Sequence, residues 1–417
     1  MSCILCDREI DQQNDSVEHV IPQAVGGLLK VKSLLCKDCN GWTGQEWDST
    51  LCDQLNWFSL IFQVVRDRGA VPSMPISTVS GEELLLLNDG SMTMRRPTFE
   101  KQPLEDSKTR IHIVARNELE AKRMLTNASR KYSIDVDETL RNASTSTHYL
   151  QSPVTVNLPF GGPRTGRSIV KTAMVYAAMQ GVDPALCGQA RRYLLQDDRH
   201  PDASTATPPF TRLDTITGNS EENVPPFDYY YAKDLLTERP SVVLHGVCVS
   251  SRGTEGQLLA YVEYFGCHRC LVLLADDYAG PEVHTGYFID PRTGKAVQAD
   301  FELGVGKAEV QSLFRREYDD IEGRRAAYNS VMEVAIAGSF DRERERLIDQ
   351  AWQALGKSGL KEGELLTEVH IAQLSRELAE RLTPFLLAHG LLATRTESDD
   401  RPAASPLSAD VPGHGPD

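Results

Sequence analysis

The sequence predicts an α+β protein: an N-terminal finger braced by zinc, then a mixed α/β region, then a helical C-terminal region. Three observations carry this. Two CxxC pairs, Cys3/Cys6 and Cys36/Cys39, stand inside the first 40 residues. From residue 71 to 305, short apolar runs bounded by turn residues interleave with segments of helical periodicity. From 306 to 395 the apolar spacing is helical throughout.

Composition bounds the rest. The chain has 417 residues, of which 41% are hydrophobic and 25% charged, as in an ordinary globular protein, which excludes a collagen, a coiled-coil rod or wholesale disorder. Its longest apolar runs, such as Leu84–Leu87 and Cys270–Ala275, fall far short of the roughly 18 residues of a membrane span. The opening MSCILCDREI has neither the basic start nor the apolar stretch of a signal peptide, so a cytoplasmic setting is expected. In that setting nine cysteines, an odd number, read as reduced thiols or metal ligands. The net charge of −15 opposes a chain-wide nucleic-acid footprint, but does not speak to local patches.

The elements follow in order. In the finger, residues 1–70, Trp47, Leu51, Leu55, Phe58, Phe62 and Val65 recur at helical spacing, and Pro72 and Pro75 close the segment. Within 71–305, Leu84–Leu87, Ile111–Val114 and Val154–Leu158 read as strands. Glu118–Tyr132 reads as a helix capped by Asn117, and Ser168–Gln180 as another. The polar, proline-rich residues 198–226 read as a long loop. Ser241–Ser250, Gln257–Tyr264 and Leu271–Leu274 suggest an antiparallel sheet. In the charged run FDRERERLIDQAW, Ile348 and Trp352 are expected to face inward. Residues 396–417 read as a disordered tail.

Each CxxC pair makes a tight knuckle whose two sulfurs converge on one ion, and two knuckles complete the tetrahedral shell of a structural zinc. The 29 residues between Cys6 and Cys36 exceed the spacing of a minimal ribbon, so an inserted element is expected there. That insert carries SVEHVIP at 16–22 and then Gly26-Gly27, and Asn40 follows the second knuckle. Glu18 and Asn40 offer oxygen donors suited to a hard ion, and His19 is an imidazole substantially neutral at cellular pH. These groups suit hydrolysis of a phosphodiester, which needs an activated water and relief of charge on the phosphate.

The run CILC, EHVIPQAVGG, CKDCN, Gly44 and Asp48 resembles the HNH endonuclease family, in the branch whose ββα-metal finger is braced by four cysteines. The resemblance covers about the first 50 residues. It implies a metal-dependent endonuclease acting on DNA, or on RNA, and leaving a 5′ phosphate and a 3′ hydroxyl. It implies that Glu18 and Asn40 hold magnesium or manganese, that His19 is the general base, and that Cys3, Cys6, Cys36 and Cys39 hold structural zinc. The family's central asparagine falls near Ser33, and a second imidazole found in other branches falls at Gly44. Asp48, one helical turn beyond, is a candidate supporting group. Glu18 and His19 are neighbours, so they share a site only if the chain leaves the β pleat there; Pro22 and Gly26-Gly27 supply a turn.

Three further features compete. GGPRTGRS at 161–168 has P-loop spacing with Arg167 where lysine belongs; it suggests a nucleotide-gated nuclease or, more simply, a basic loop touching a DNA backbone through Arg164, Arg167 and Lys171. Cys267 and Cys270 flank His268 in a third CxxC with no fourth ligand nearby, and read as sheet or turn residues. Cys52, Cys187 and Cys248 read as core. The first 70 residues hold six Lys/Arg against ten Asp/Glu, so affinity for DNA must come from elsewhere in the chain, from a homo-oligomer or from a regulatory partner. A regulated role such as defence against phage, or restriction, fits such an enzyme. The alternative from another class is a non-catalytic zinc-finger scaffold for protein contacts.

Overall fold

The computed structural model describes residues 2–104, 109–144, 146, 150, 152–195, 235–314, 321–356, 360 and 363–388. The expected loop at 198–226 and tail at 396–417 lie outside them. The chain divides into two compact units, one carried by residues up to Phe340 and the other by Asp341 onward.

The first unit opens with an antiparallel hairpin, β1 (Asp15–His19) and β2 (Lys30–Cys36), which is the element inserted between the two knuckles. Its link makes a 3₁₀ turn at Gln23–Val25 and closes on Gly26 and Gly27. Gly26 has φ 100°, and a Cβ on Gly27 would lie 1.8 Å from the Ile21 carbonyl oxygen, so only glycine fits there. Helix α1 (Lys37–Thr43), a π-helical turn (Gly44–Asp48) and α2 (Ser49–Ile61) then run on without a break, close to the helix its apolar spacing predicts.

Strands β3 (Met74–Thr78), β4 (Glu83–Leu86) and β5 (Met92–Met94) form a small antiparallel sheet, which β8 (Val154–Thr155) joins beside β3. Between them lie the hairpin of β6 (Thr98–Pro103) and β7 (Thr109–Val114) and helices α3 (Glu118–Ser129) and α4 (Val136–Arg141). Asn117 caps α3 as expected, its side chain accepting from the Glu120 amide. Helix α5 (Pro163–Met179) begins five residues before the predicted start, because Gly162 at φ 93° turns the chain and Pro163 suits the first helical position. Helix α6 (Gly188–Leu195) follows.

The largest sheet is antiparallel in the order β11-β10-β9-β12-β13, from β9 (His245–Ser250), β10 (Leu258–Tyr264), β11 (His268–Ala275), β12 (His284–Asp290) and β13 (Lys295–Val297). Every residue of β9, β10 and β11 is buried, so both faces are covered, which is why these strands read as nearly continuous apolar runs. Helix α5 packs on this sheet and is itself buried all round, from Thr165 to Ala177 apart from Arg167. It lies inside one continuous hydrophobic core that takes in Trp47, Leu51 and Phe58 of the finger, Ile169 and Ala173 of α5, and Tyr261 and Phe265 of the sheet. Polar ties cross the same junction. The His245 ring, fully buried, contacts the Val25 carbonyl at 2.7 Å through Nε2 and accepts the Phe265 amide through Nδ1; burial depresses its pKa to about 4. The neutral ring is thereby satisfied on both nitrogens.

Helix α7 (Lys307–Phe314) precedes α8 (Ile321–Gly356), which runs across the boundary between the units. In the second unit Leu347, Ala351 and Leu355 of α8, and Phe385 of α9 (Glu368–Ala388), are buried. Ile348 is only partly exposed, but Trp352 is exposed, against the expectation that both face inward. Among the described residues, no helix is long and apolar enough to cross a membrane.

Candidate active site and metal centre

The thiols come together as their spacing predicts. Cys3 and Cys6 lie in the opening turn, Cys36 ends β2, and Cys39 sits in the first turn of α1. Their four sulfurs all lie within 4.8 Å of one another, and the Cys6 and Cys36 sulfurs are 3.8 Å apart. A tetrahedron built on zinc–sulfur bonds of roughly 2.3 Å has edges of about 3.8 Å, so the donor set fits structural zinc in both chemistry and span. The backbone is shaped for it: the Cys36 amide donates to the Cys3 sulfur at 3.5 Å, and Asp7, at φ 57°, closes the first knuckle. The Cys39 thiol's hydrogen bond draws the Cys3 thiol down to about 4, while Cys39 is pushed up in return. Among the described residues this is the one His/Cys/Asp/Glu cluster with metal-ligating geometry.

The clamp joins α1 to the opening turn and to the end of β2, and Asn40 ties α1 to β1. Its Nδ2 donates to the Val17 carbonyl and to Ser16 Oγ, both at 3.0 Å. Asn40 Oδ1 accepts no hydrogen bond from the described residues. Glu18, one residue along β1 from Val17, turns into the core and is 5% exposed. Its Oε1 accepts from Lys171 Nζ at 2.6 Å. Lys171 also donates to Asp48, whose other oxygen accepts from Ser168 Oγ at 2.6 Å. Burial alone would push the Lys171 ammonium down, but Asp48 and Glu18 together raise it above its ordinary value. Burial also raises the Glu18 carboxyl, against the pull of Lys171.

His19 is placed differently. The antiparallel register runs through Glu18↔Val31 and His19↔Lys30, and the Val20 amide still reaches the Leu29 carbonyl. The chain therefore keeps its pleat past His19 instead of leaving it at Glu18, and the two side chains take opposite faces. On its face His19 meets Asp67: Nε2 lies 3.2 Å from Asp67 Oδ2, which also pairs with Lys30. Burial pushes the imidazole below its ordinary value, with Asp67 pulling the other way. Lys30 and His19 together hold the Asp67 carboxyl down. Among the described residues no hydrogen bond joins His19 to Glu18 or Asn40.

Ser33, at the family's central position, has φ 62° inside a bulge of β2, where residues 33–35 stand opposite Ser16 of β1. Its amide donates to Asp15 Oδ1 at 2.8 Å, which pins the hairpin at that irregularity. Gly44 faces open space, with nothing within 4 Å of an added Cβ.

The basic loop at 161–168 is corrected in two respects. Lys171 is 1% exposed and committed to two carboxylates, so it does not face a DNA backbone. Arg167 lies over the Tyr193 ring at 5.2 Å, while Arg164 pairs with Glu46 at 2.8 Å on the surface. Nor is the loop open as a phosphate cradle, because Gln54 takes both the amide and the carbonyl of Gly161 and also the Thr165 hydroxyl. Cys267 and Cys270 are buried sheet and turn residues, and the His268 ring stacks on Phe160 at 4.1 Å. Cys187 and Cys248 are buried and Cys52 is half-buried, in keeping with core roles.

Sequence reasoning missed Asp67, Lys30, Ser168 and the true place of Lys171. One signal existed: a lone lysine inside the small and apolar run SIVKTAMVYAAM has no solvated face to occupy and so calls for a buried partner. No curated protein and no solved structure matches the chain. Residues 3–56, which hold the four thiols, Glu18, His19, Asn40 and Asp48, match the family model for HNH endonuclease.

Proposed function

We propose that the chain is a metal-dependent endonuclease that hydrolyses phosphodiester bonds in DNA. The observation that carries the reading is the HNH endonuclease match across residues 3–56, a span that includes β1, β2, α1 and the four thiols. Glu18 Oε2 and Asn40 Oδ1 are hard oxygen donors that accept no hydrogen bond among the described residues, and by donor type they fit a divalent ion. Glu18 and Asn40 would hold magnesium or manganese, which would supply positive charge to a bound phosphate. Asp67 accepts the Nε2 proton of His19, which leaves Nδ1 to take a proton from water. Burial, which pushes the imidazole below its ordinary value, favours the neutral form of the ring. Lys171 holds Glu18 and Asp48 in place.

Supercoiled plasmid incubated with the full chain and magnesium tests this. The wild type is expected to nick it, and His19→Ala to slow nicking by about 10²–10⁴-fold, the range of a lost general base. Equal nicking by both, or by neither, would overturn the proposal. One observation favours a second reading, a zinc-braced scaffold without hydrolysis: Glu18 is buried with one oxygen already neutralised by Lys171, and His19 takes the other face of β1. If the enzyme reading holds, a regulated role in restriction or phage defence follows as its extension, and protection of cells against phage should then depend on His19.

A further inference from the structure

The finger is acidic, yet the chain is not acidic throughout. Residues 95–132 carry ten Lys/Arg against five Asp/Glu, a local charge of +5 in a chain of −15. The described residues among them fold as the β6–β7 hairpin with α3 beside it. The hairpin buries little: five of the six residues of β6 are exposed. Phe99 and Lys101, two apart on β6, share one face. Phe99 is 39% exposed, a large apolar ring set amid charge. Lys101 Nζ sits 5.3 Å from the Phe99 ring centre and 5.6 Å from that of Tyr132, so one ammonium lies near both rings. Lys131 Nζ adds a second cation 5.9 Å from the Tyr132 ring. With Met124 and Ala128 these residues line a cavity of about 340 Å³, within the roughly 300–1,000 Å³ of small-ligand sites. Among the described residues neither Lys101 nor Lys131 is paired with a carboxylate.

We propose that this cavity binds an unpaired nucleic-acid strand, one base stacking on Tyr132 or Phe99 while Lys101 and Lys131 meet the adjoining phosphates. Two rings interleaved with two ammonium groups that no described carboxylate neutralises are what a stacking platform for single strands needs, because every base has a flat face and every linkage a charge. An acidic peptide would satisfy the lysines but leave the exposed ring without a partner. The proposal rests on the reading that nucleic acid is the substrate, and it supplies the affinity that the acidic finger lacks.

The test is fluorescence anisotropy of a labelled mixed-sequence DNA strand, and of the same sequence as duplex, with the full chain in EDTA so that nothing is cut. The wild type should bind the single strand more tightly than the duplex. Tyr132→Ala should weaken single-strand binding by about tenfold, and Tyr132→Trp should restore it. Lys101→Glu with Lys131→Glu should weaken it further and flatten the salt dependence by at least about 1.4 in log–log slope, two phosphate contacts at roughly 0.7 each. Unaltered affinity in Tyr132→Ala, a preference for duplex, or no binding by the wild type would each overturn the proposal. Binding that depends on Tyr132 without nicking by any variant would leave the cavity standing and sink the hydrolase. Nicking that depends on His19 with binding indifferent to Tyr132 would do the reverse.

Discussion

Two centres in the finger organise charge, and they do so by opposite means. The four thiols gather from residues 3–39, within one hairpin and the helix after it, around the span of a single zinc ion. The Glu18–Lys171–Asp48 cluster joins two carboxylates of the finger to a lysine of α5 that lies 153 and 123 residues further along the chain. The first is local and asks little of the rest of the fold. The second exists only when the finger, α5 and the large sheet have closed on one core. An external ion can be exchanged, whereas an internal ammonium can be removed only by mutation or unfolding.

The comparison breaks most severely at the thiols. A strong chelator, or Cys36→Ser, should remove zinc and unfold at least the hairpin and α1, since structural zinc contributes roughly 10–16 kcal/mol of apparent binding energy in isolated fingers. Metal content by mass spectrometry and loss of amide protection in residues 15–43 read this out; full protection without zinc would show that the core alone holds the finger. Lys171→Met comes next. It leaves two carboxylates buried or nearly so without their counter-charge, at a cost of about 3–5 kcal/mol in urea unfolding. Adding Glu18→Gln and Asp48→Asn should recover most of that loss, and no recovery would mean that packing, not charge, is what Lys171 supplies.

Asp67→Asn should have the smallest effect and sharpens the reading of His19. Cleavage by a neutral imidazole rises with pH through the pKa of that group, which burial sets below its ordinary value. The Asp67 carboxylate opposes that depression, so its loss moves the acidic limb of the rate profile to still lower pH. About a tenfold fall in rate from lost orientation is expected beside it. An acidic limb that stays where it was, measured by plasmid nicking across pH 4.5–8 in steps of about half a unit, would detach Asp67 from the chemistry.

What could be read in advance follows the same division. The thiol clamp, the inserted hairpin, the Asn117 cap and the strands near Leu84 and Ile111 depend on local spacing, and local spacing is what a sequence displays. Lys171 cannot be placed from its neighbours: Arg164 and Arg167 suggest a basic surface, while burial is decided by α5 packing on the finger and the sheet. Asp67 carries no mark in the sequence, because it stands 48 residues from His19 in an irregular stretch. The short strands β5 and β13, three residues each, are too brief for alternation to register. Glu18 and His19 diverge because the ladder persists three residues short of Pro22.

The continuity of that core has a practical corollary. Cut out near residue 70, the family-like portion would carry away an acid whose buried counter-ion stays behind on the discarded fragment, along with a raw apolar flank where Trp47 and Phe58 had neighbours. Such a miniature should be sticky and inert however well its sulfurs hold zinc. Anyone hoping to transplant this portion onto another protein must borrow its distant lysine as well.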